Sequence, residues 1–294
     1  MNQINDFPTM PKFEEYKKKF EKYLIMERKN GILLVRMHTD DGSVMWSPWM
    51  HRQLIDAWAA IGGDLENEVM ILTATGKYWF AMHDKEAFRE WDKGGDPDTR
   101  YDGLRRPLKS VENFLYGIDI PTIGVLNGPG PSHTNFAFLC DITLCAPDVV
   151  IRDHHFSGGL VPGDSIGLLL QGLLGAKRAG PLLYSINHLT AQQALEYGLV
   201  NEILPREKLL DRAWNIAEEI MKQPRSIRRM TSLLVKRPIR RLIFNDYQQH
   251  ITSEMYAYVL QGTGHETEKL RSKFTEAEKG LKKELDEKEK DKNK

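Results

Sequence analysis

The chain has 294 residues, of which 41% are hydrophobic and 28% charged, and its 41 basic and 41 acidic side chains give a formal net charge of zero. This length fits one large α/β domain with extensions, and it is ample for a sizeable core. The neutral balance provides no global field toward nucleic acid or an anionic membrane. No apolar run approaches the ~18 residues of a membrane span, and two cysteines, Cys140 and Cys145, rule out a disulfide framework or a cysteine-based metal centre.

Residues 1–28 are polar and charged and read as a lead-in helix. They hold no apolar stretch of signal-peptide length, so a cytoplasmic location is expected. Two short runs follow, 32–37 (ILLVRM) and 69–72 (VMIL), bulky or β-branched and bounded by turn residues, as buried strands are. Between them, residues 49–61 space their apolar side chains near 3.6, which predicts a helix. A strand, helix, strand order implies a parallel crossover. Residues 92–103 (DKGGDPDTRYDG) read as a polar loop, 104–118 as a helix and 122–126 as a third strand. The turn NGPGPS leads to a helical stretch opening at His133. Residues 141–146 and 149–152 look like further strands and 163–186 like helix. Residues 190–198 read as a short helix with Thr190 as N-cap. A strand at 200–204, a helix at 207–223 and one or two helices over 225–261 complete the pattern. The tail is rich in Lys and Glu and has too little apolar surface to build a core. The expected class is α/β. Its parts are a polar extension (1–28), a core (29–205), a C-terminal helical region (206–262) and a charged tail, disordered or a frayed helix (263–294).

Nine histidines raise the question of metal. His154 and His155 are adjacent, so their side chains diverge in an extended segment, and no HxxxH or HExxH spacing occurs. No metal site is expected. Residues 127–130 lack the Lys-Ser/Thr ending of a phosphate loop. The basic cluster Arg225, Arg228, Arg229, Lys236, Arg237, Arg240 and Arg241 reads as a solvated helix face. Its other reading, RNA or anionic-ligand binding, lacks the interleaved aromatics that would favour it.

Several strings in this order carry a family resemblance. They are HFSGGLVPGDSIGLLLQGLLGAKRAGPLLYSINHLTAQQALEYGLVNEIL (155–204), IPTIGVLNG (120–128), Cys140-Asp141-Ile142 and VMILTATGKYWFAMHD (69–84). Over roughly residues 29–262 the chain resembles the crotonase (enoyl-CoA hydratase/isomerase) superfamily. That resemblance implies a ββα spiral core and a helical C-terminal trimerisation region, with homotrimers or dimers of trimers. The family's Gly-rich run falls here on Pro131, Ser132 and His133, and its two glutamate positions on Asn135 and His155. Hydration of an enoyl thioester needs two carboxyl groups around one water, so hydratase activity is not expected.

Trp46, His51, Ser132-His133 and the run from His155 to Asp164 resemble one branch, the β-diketone hydrolases typified by 6-oxocamphor hydrolase. Glu254 fits that branch's glutamate on the C-terminal helix. The resemblance implies cofactor-free retro-Claisen hydrolysis of a small, cyclic β-diketone. In this reading His155 is the general base and Asp164 orients it. His133 and a backbone N–H near 82–84 receive the oxyanion, and the Trp46 Nε1–H and His51 receive the enolate. Glu254 binds substrate or water, while Met82 and His83 border the pocket. Duller readings stand beside these. Trp46 also fits core packing, Glu254 a salt bridge, His51 a solvent-facing position and Asp164 a helix cap. Two other functions stay open: an acyl-CoA hydratase/isomerase or thioester hydrolase, and a non-catalytic scaffold or RNA-binding protein.

Overall fold

The computed structural model describes residues 10–92, 96–130 and 133–260, with single tail positions at 276, 279, 280, 283 and 287. The chain begins with α1 (Phe13–Lys19), β1 (Leu24–Lys29), β2 (Ile32–Met37), β3 (Met45–Trp46), α2 (Pro48–Gly63) and β4 (Val69–Ala74). Next come β5 (Met82–His83), α3 (Lys85–Asp92), α4 (Pro97–Glu112), a π-helical turn (Asn113–Gly117) and β6 (Thr122–Leu126). The middle holds α5 (Asn135–Phe138), β7 (Ile142–Cys145), β8 (Val150–Ile151), α6 (Ile166–Leu174) and α7 (Ala176–Leu183). It closes with β9 (Leu189–Thr190), α8 (Ala191–Glu196), β10 (Glu202–Ile203), α9 (Arg206–Met221) and α10 (Arg225–Leu260).

The main sheet has six strands in the order β1-β2-β4-β6-β7-β10. All neighbours are parallel except β1 against β2. Central β4 is buried at every position, which explains its unbroken apolar run: a parallel strand is covered on both faces. The β2-α2-β4 order gives the expected parallel pair, with Ile32 opposite Val69. Ser47 caps α2 by accepting from the Met50 N–H, Pro48 opens it, and Met50, Leu54, Ala57, Trp58 and Ile61 form its buried face. Thr190 and Gln193 build a full capping box on α8.

Two expectations about elements are corrected and two are made more specific. Residues 10–28 are not a lead-in outside the core, because β1 pairs along its whole length with β2 and both Tyr16 and Phe20 are buried, while residues 1–9 lie outside the described residues. Residues 30 and 31 join the two strands with φ of 51° and 82°. This is the left-handed pair that an Asn-Gly hairpin turn needs. The loop expected at 92–103 is already helical from Pro97. The stretch 163–186 is two helices, divided at Gly175, whose φ is 79°. Residues 225–260 form one helix that runs through Pro238. The tail, apart from its single positions, lies outside the described residues.

Helix α10 is about 54 Å long at 1.5 Å per residue, and the basic cluster fastens its first half to the body. Arg228 pairs with Glu68, and Arg229 with Asp119 at 2.5 Å. The buried Lys236 ammonium lies 3.2 Å from Asp141 and donates to the Ile120 carbonyl. Arg240 donates to the Leu115 carbonyl. The solvated-face reading thus holds for Arg237 and Arg241, which are exposed; the others named here are internal fasteners. Their effect is to aim the second half of α10 at the site.

Candidate active site

His155 lies four residues past the end of β8, in a segment closed by turns: Leu160 N–H donates to the His155 carbonyl at 2.7 Å. Asp153 grips the residue twice. One carboxylate oxygen accepts from the His155 backbone N–H at 3.0 Å and the other from ring Nδ1 at 2.8 Å. A carboxylate has no proton to give, so Nδ1 carries the hydrogen and Nε2 is the reactive nitrogen. The Asp153 carbonyl in turn accepts from the Ser185 hydroxyl.

Nε2 faces two further carboxylates, Asp164 at 3.8 Å and Glu254 at 3.9 Å. The sequence expectation that Asp164 orients the ring is therefore corrected. Asp153 does so, and Asp164 stands on the opposite, reactive side. The signal for Asp153 was local: an Asp two residues ahead of a His can close an Asx turn on its N–H. Asp164 enters from the Pro162-Gly163 turn, and its other oxygen sits 3.4 Å from the Ile166 N–H at the start of α6. Asp164 thus meets the first N–H of α6 from the residue before its N-cap, Ser165, which makes no side-chain cap of its own. Glu254 comes from α10 and accepts from the Gly163 N–H at 3.2 Å. A Cβ at position 163 would lie 2.3 Å from the His250 carbonyl and 2.7 Å from the Glu254 Cβ. Only glycine lets the turn and the helix approach this closely.

Rings and imidazoles form the opposite wall. Trp46 stacks on His133, with centroids 3.8 Å apart and planes 15° from parallel. His51 meets Trp46 edge-on at 4.9 Å. His83 lies 5.6 Å from His133 and packs on Phe80. The parallel pair β3 and β5 sets Trp46 opposite His83. The His133 backbone is left-handed, with φ of 55°, at a position where the resemblance placed a Gly-rich run. Trp79 Nε1–H holds the His133 carbonyl at 2.9 Å. The His133 Nδ1 lies 3.7 Å from Asp164 and so links the wall to the carboxylates. Phe80, Phe136 and Trp79 are buried here, whereas Trp49 is exposed. Met82 and His83 are partly buried. Of the backbone donors expected near 82–84, the Asp84 N–H is committed to the Trp46 carbonyl at 2.8 Å. Asn135, at the first glutamate position, donates to the Ser165 hydroxyl. Pro131 and Ser132 lie outside the described residues.

The electrostatics divide the site in two. Burial holds His51 down to about 3, helped by Arg106 and His83. Burial likewise holds His133 well below the usual imidazole range. Both rings are neutral at physiological pH, suited to donate a hydrogen bond without a resident charge. Burial also opposes a charge on His155, but the combined pull of Asp153, Asp164 and Glu254 raises it well above 6.5. Burial raises Asp164 and takes Glu254 up to about 8. Buried Arg106, which the sequence did not single out, bears on the site through its effect on His51.

The chain belongs to the enoyl-CoA hydratase/isomerase family, whose sequence model matches residues 27–280. It has the crotonase fold with a long C-terminal helix. It is 34% identical to a solved β-diketone hydrolase from the cyanobacterium Anabaena sp. PCC 7120, bound to (S)-3-oxocyclohexyl acetic acid. The match has a TM-score of 0.75 and covers 86% of this chain and 97% of that one. The branch that the sequence resembled is thus represented among its structural neighbours. An enoyl-CoA hydratase/isomerase from Mycobacterium paratuberculosis shares the fold, with a TM-score of 0.76 at 20% identity over 87% of this chain and 98% of that one. The hydroxycinnamoyl-CoA hydratase-lyase of Pseudomonas fluorescens is 28% identical over 202 residues, 66% of this chain and 72% of the relative. Among the described residues, no helix is long and apolar enough to cross a membrane.

Proposed function

We propose that this protein hydrolyses a carbon–carbon bond in a cyclic β-diketone by a retro-Claisen reaction. The observation that carries this reading is the placement of His155. Its Nδ1 is anchored on Asp153, and its Nε2 faces Asp164 at 3.8 Å and Glu254 at 3.9 Å, separations that a water between them would bridge. A water so placed gives its proton to Nε2, and the hydroxide adds to one carbonyl. Neutral His133 is the donor to the resulting oxyanion, which is then in reach of a group that carries no competing charge. The C–C bond pair passes to the carbon between the two carbonyls, and the second carbonyl takes up the charge as an enolate. His51 and Trp46 flank that oxygen. The proton held by His155 returns to the enolate carbon, so one water is consumed and one keto acid is formed. Asp164 and Glu254 hold the water, and Met82 and His83 border the diketone.

The keto acid bound to the Anabaena hydrolase supports a cyclic substrate. Joining the carboxyl carbon of such an acid to the ring carbon beside its ketone, with loss of water, gives bicyclo[2.2.2]octane-2,6-dione. The test is an ultraviolet assay on this compound and on monocyclic β-diketones, with crotonyl-CoA and the His155→Ala variant as controls. Diketone cleavage that disappears in the variant is the expected result. Cleavage retained by a folded His155→Ala protein would overturn the assignment.

A second reading is favoured by one observation. Asp164 and Glu254 bring two carboxyl oxygens within 4.8 Å of each other, an arrangement that the sequence did not disclose and that hydration of a thioester uses. Turnover of crotonyl-CoA alone would select it. We further propose assembly as a trimer or pair of trimers through α10. Exposed Ile227, Met230, Leu234, Val235 and Phe244 on that helix support this assembly.

A further inference from the structure

The gap between His155, Asp164 and Glu254 has the size and donors of a metal site. One imidazole nitrogen and two carboxylate oxygens, from three distant segments, lie within 4.8 Å of one another. All three residues are more than nine-tenths buried. The separations of 3.8 and 3.9 Å from Nε2, and of 3.7 Å between Asp164 and His133, are too long for hydrogen bonds. They are the separations expected of groups that share a bridging atom. An ion equidistant from the three donors would sit about 2.5 Å from each, and movements of a few tenths of an ångström would reach the roughly 2.0–2.2 Å of zinc–nitrogen and zinc–oxygen bonds.

The supporting shell is also in place. Metal-bound imidazoles characteristically give their other N–H to a carboxylate, as His155 Nδ1 does to Asp153. Each ligand carboxylate has its second oxygen turned to a backbone N–H, Glu254 to Gly163 and Asp164 to Ile166.

We propose that this gap binds one divalent cation of the zinc class, with His155 Nε2, Asp164 Oδ2 and Glu254 Oε1 as ligands and one position left open. The nitrogen ligand favours zinc and the later first-row ions such as cobalt or nickel over magnesium, calcium and manganese. Bound there, the ion takes the lone pair with which His155 would accept a proton, so the cation is an inhibitor of the hydrolysis. The inhibition rests on the function proposed above; the binding does not.

The test is calorimetric titration of the full chain, without an affinity tag, with Zn2+, alongside Co2+ and its visible absorption bands. One Zn2+ per chain is expected, together with Co2+ bands that disappear in His155→Ala. Glu254→Gln and Asp164→Asn should each weaken binding at least about 10-fold, and Asp153→Asn about 10- to 100-fold through the ring orientation. Melting curves establish that each variant is folded. Absence of Zn2+ binding to the wild type at millimolar concentration would overturn the proposal. So would binding of undiminished affinity in both folded His155→Ala and Glu254→Gln. If Zn2+ binds as described and no diketone is cleaved, the proposed function fails and the site stands. If diketones are cleaved and Zn2+ neither binds nor inhibits, the site fails and the function stands.

Discussion

Two residues, Asp153 and His155, carry most of the chemistry proposed for this site. Asp153 touches no substrate in this scheme; it fixes which ring nitrogen bears the proton. Asp153→Asn preserves shape but lets the amide donate to Nδ1, which turns the lone pair of His155 away from the gap. A loss in kcat of about 10²- to 10⁴-fold with little change in KM is expected, checked by steady-state kinetics beside a melting curve. The charge on His155 sets a pH dependence. Three carboxylates raise this ring above 6.5, so at lower pH it is protonated and cannot accept a proton from water. The competent neutral form appears as pH rises through the raised value. Hence kcat/KM should climb with pH, with its midpoint above 6.5. A profile that is flat from pH 5 to 9, or one that falls, would count against His155 as the base.

At the scale of elements, the site depends on how close α10 comes to the turn before α6. Gly163 has no side chain to keep them apart, and its N–H holds Glu254. Gly163→Ala should cost roughly 1–3 kcal/mol through overpacking and should push Glu254 away from His155. The check is a lowered melting temperature together with reduced diketone turnover. A variant with wild-type values for both would show that α10 can retreat freely. The small sheet of β3 and β5 does the corresponding work on the other wall, since it places Trp46 and His83 around His133. His133 and Ser165, with φ of 55° and 84°, are non-glycine residues in the left-handed region beside the site. Strained backbone of this kind costs about 1–3 kcal/mol per residue and clusters where geometry serves chemistry.

For the whole molecule, α10 links the site to assembly. Its first half is fastened to the body by Arg228, Arg229, Lys236 and Arg240, while Phe244 is 81% exposed on the same helix. With Ile227, Met230, Leu234 and Val235 also exposed on α10, this collection of apolar side chains points to an interaction surface. Light scattering on the wild-type chain should give the mass of a trimer or a pair of trimers, and Phe244→Arg should shift it toward the monomer. A monomeric wild type would remove the assembly proposal and leave the site, which is built within one chain, untouched.

Much of this protein was legible in its sequence, because local chemistry dictates local structure. Unbroken apolar runs gave β2, β4 and β6, Thr190 gave the cap of α8, and the ordered strings from 69 to 204 gave the family. His155, Asp164, His133, His51, Glu254 and Trp46, named from the resemblance, come together within one region. The β1–β2 hairpin was legible too, in Asn30-Gly31, but the polar look of residues 1–28 hid it. Other features were decided only by the tertiary structure. Asp153 rather than Asp164 holds the His155 ring, because the Asx turn puts Asp153 beside Nδ1 while the Pro162-Gly163 turn delivers Asp164 to the far side. The basic residues of α10 became internal fasteners because Glu68, Asp119 and Asp141 happen to face them across the fold. A spacing motif sees only ligands on one element, so residues 155, 164 and 254 give no signal until the chain folds and their separation in sequence no longer matters.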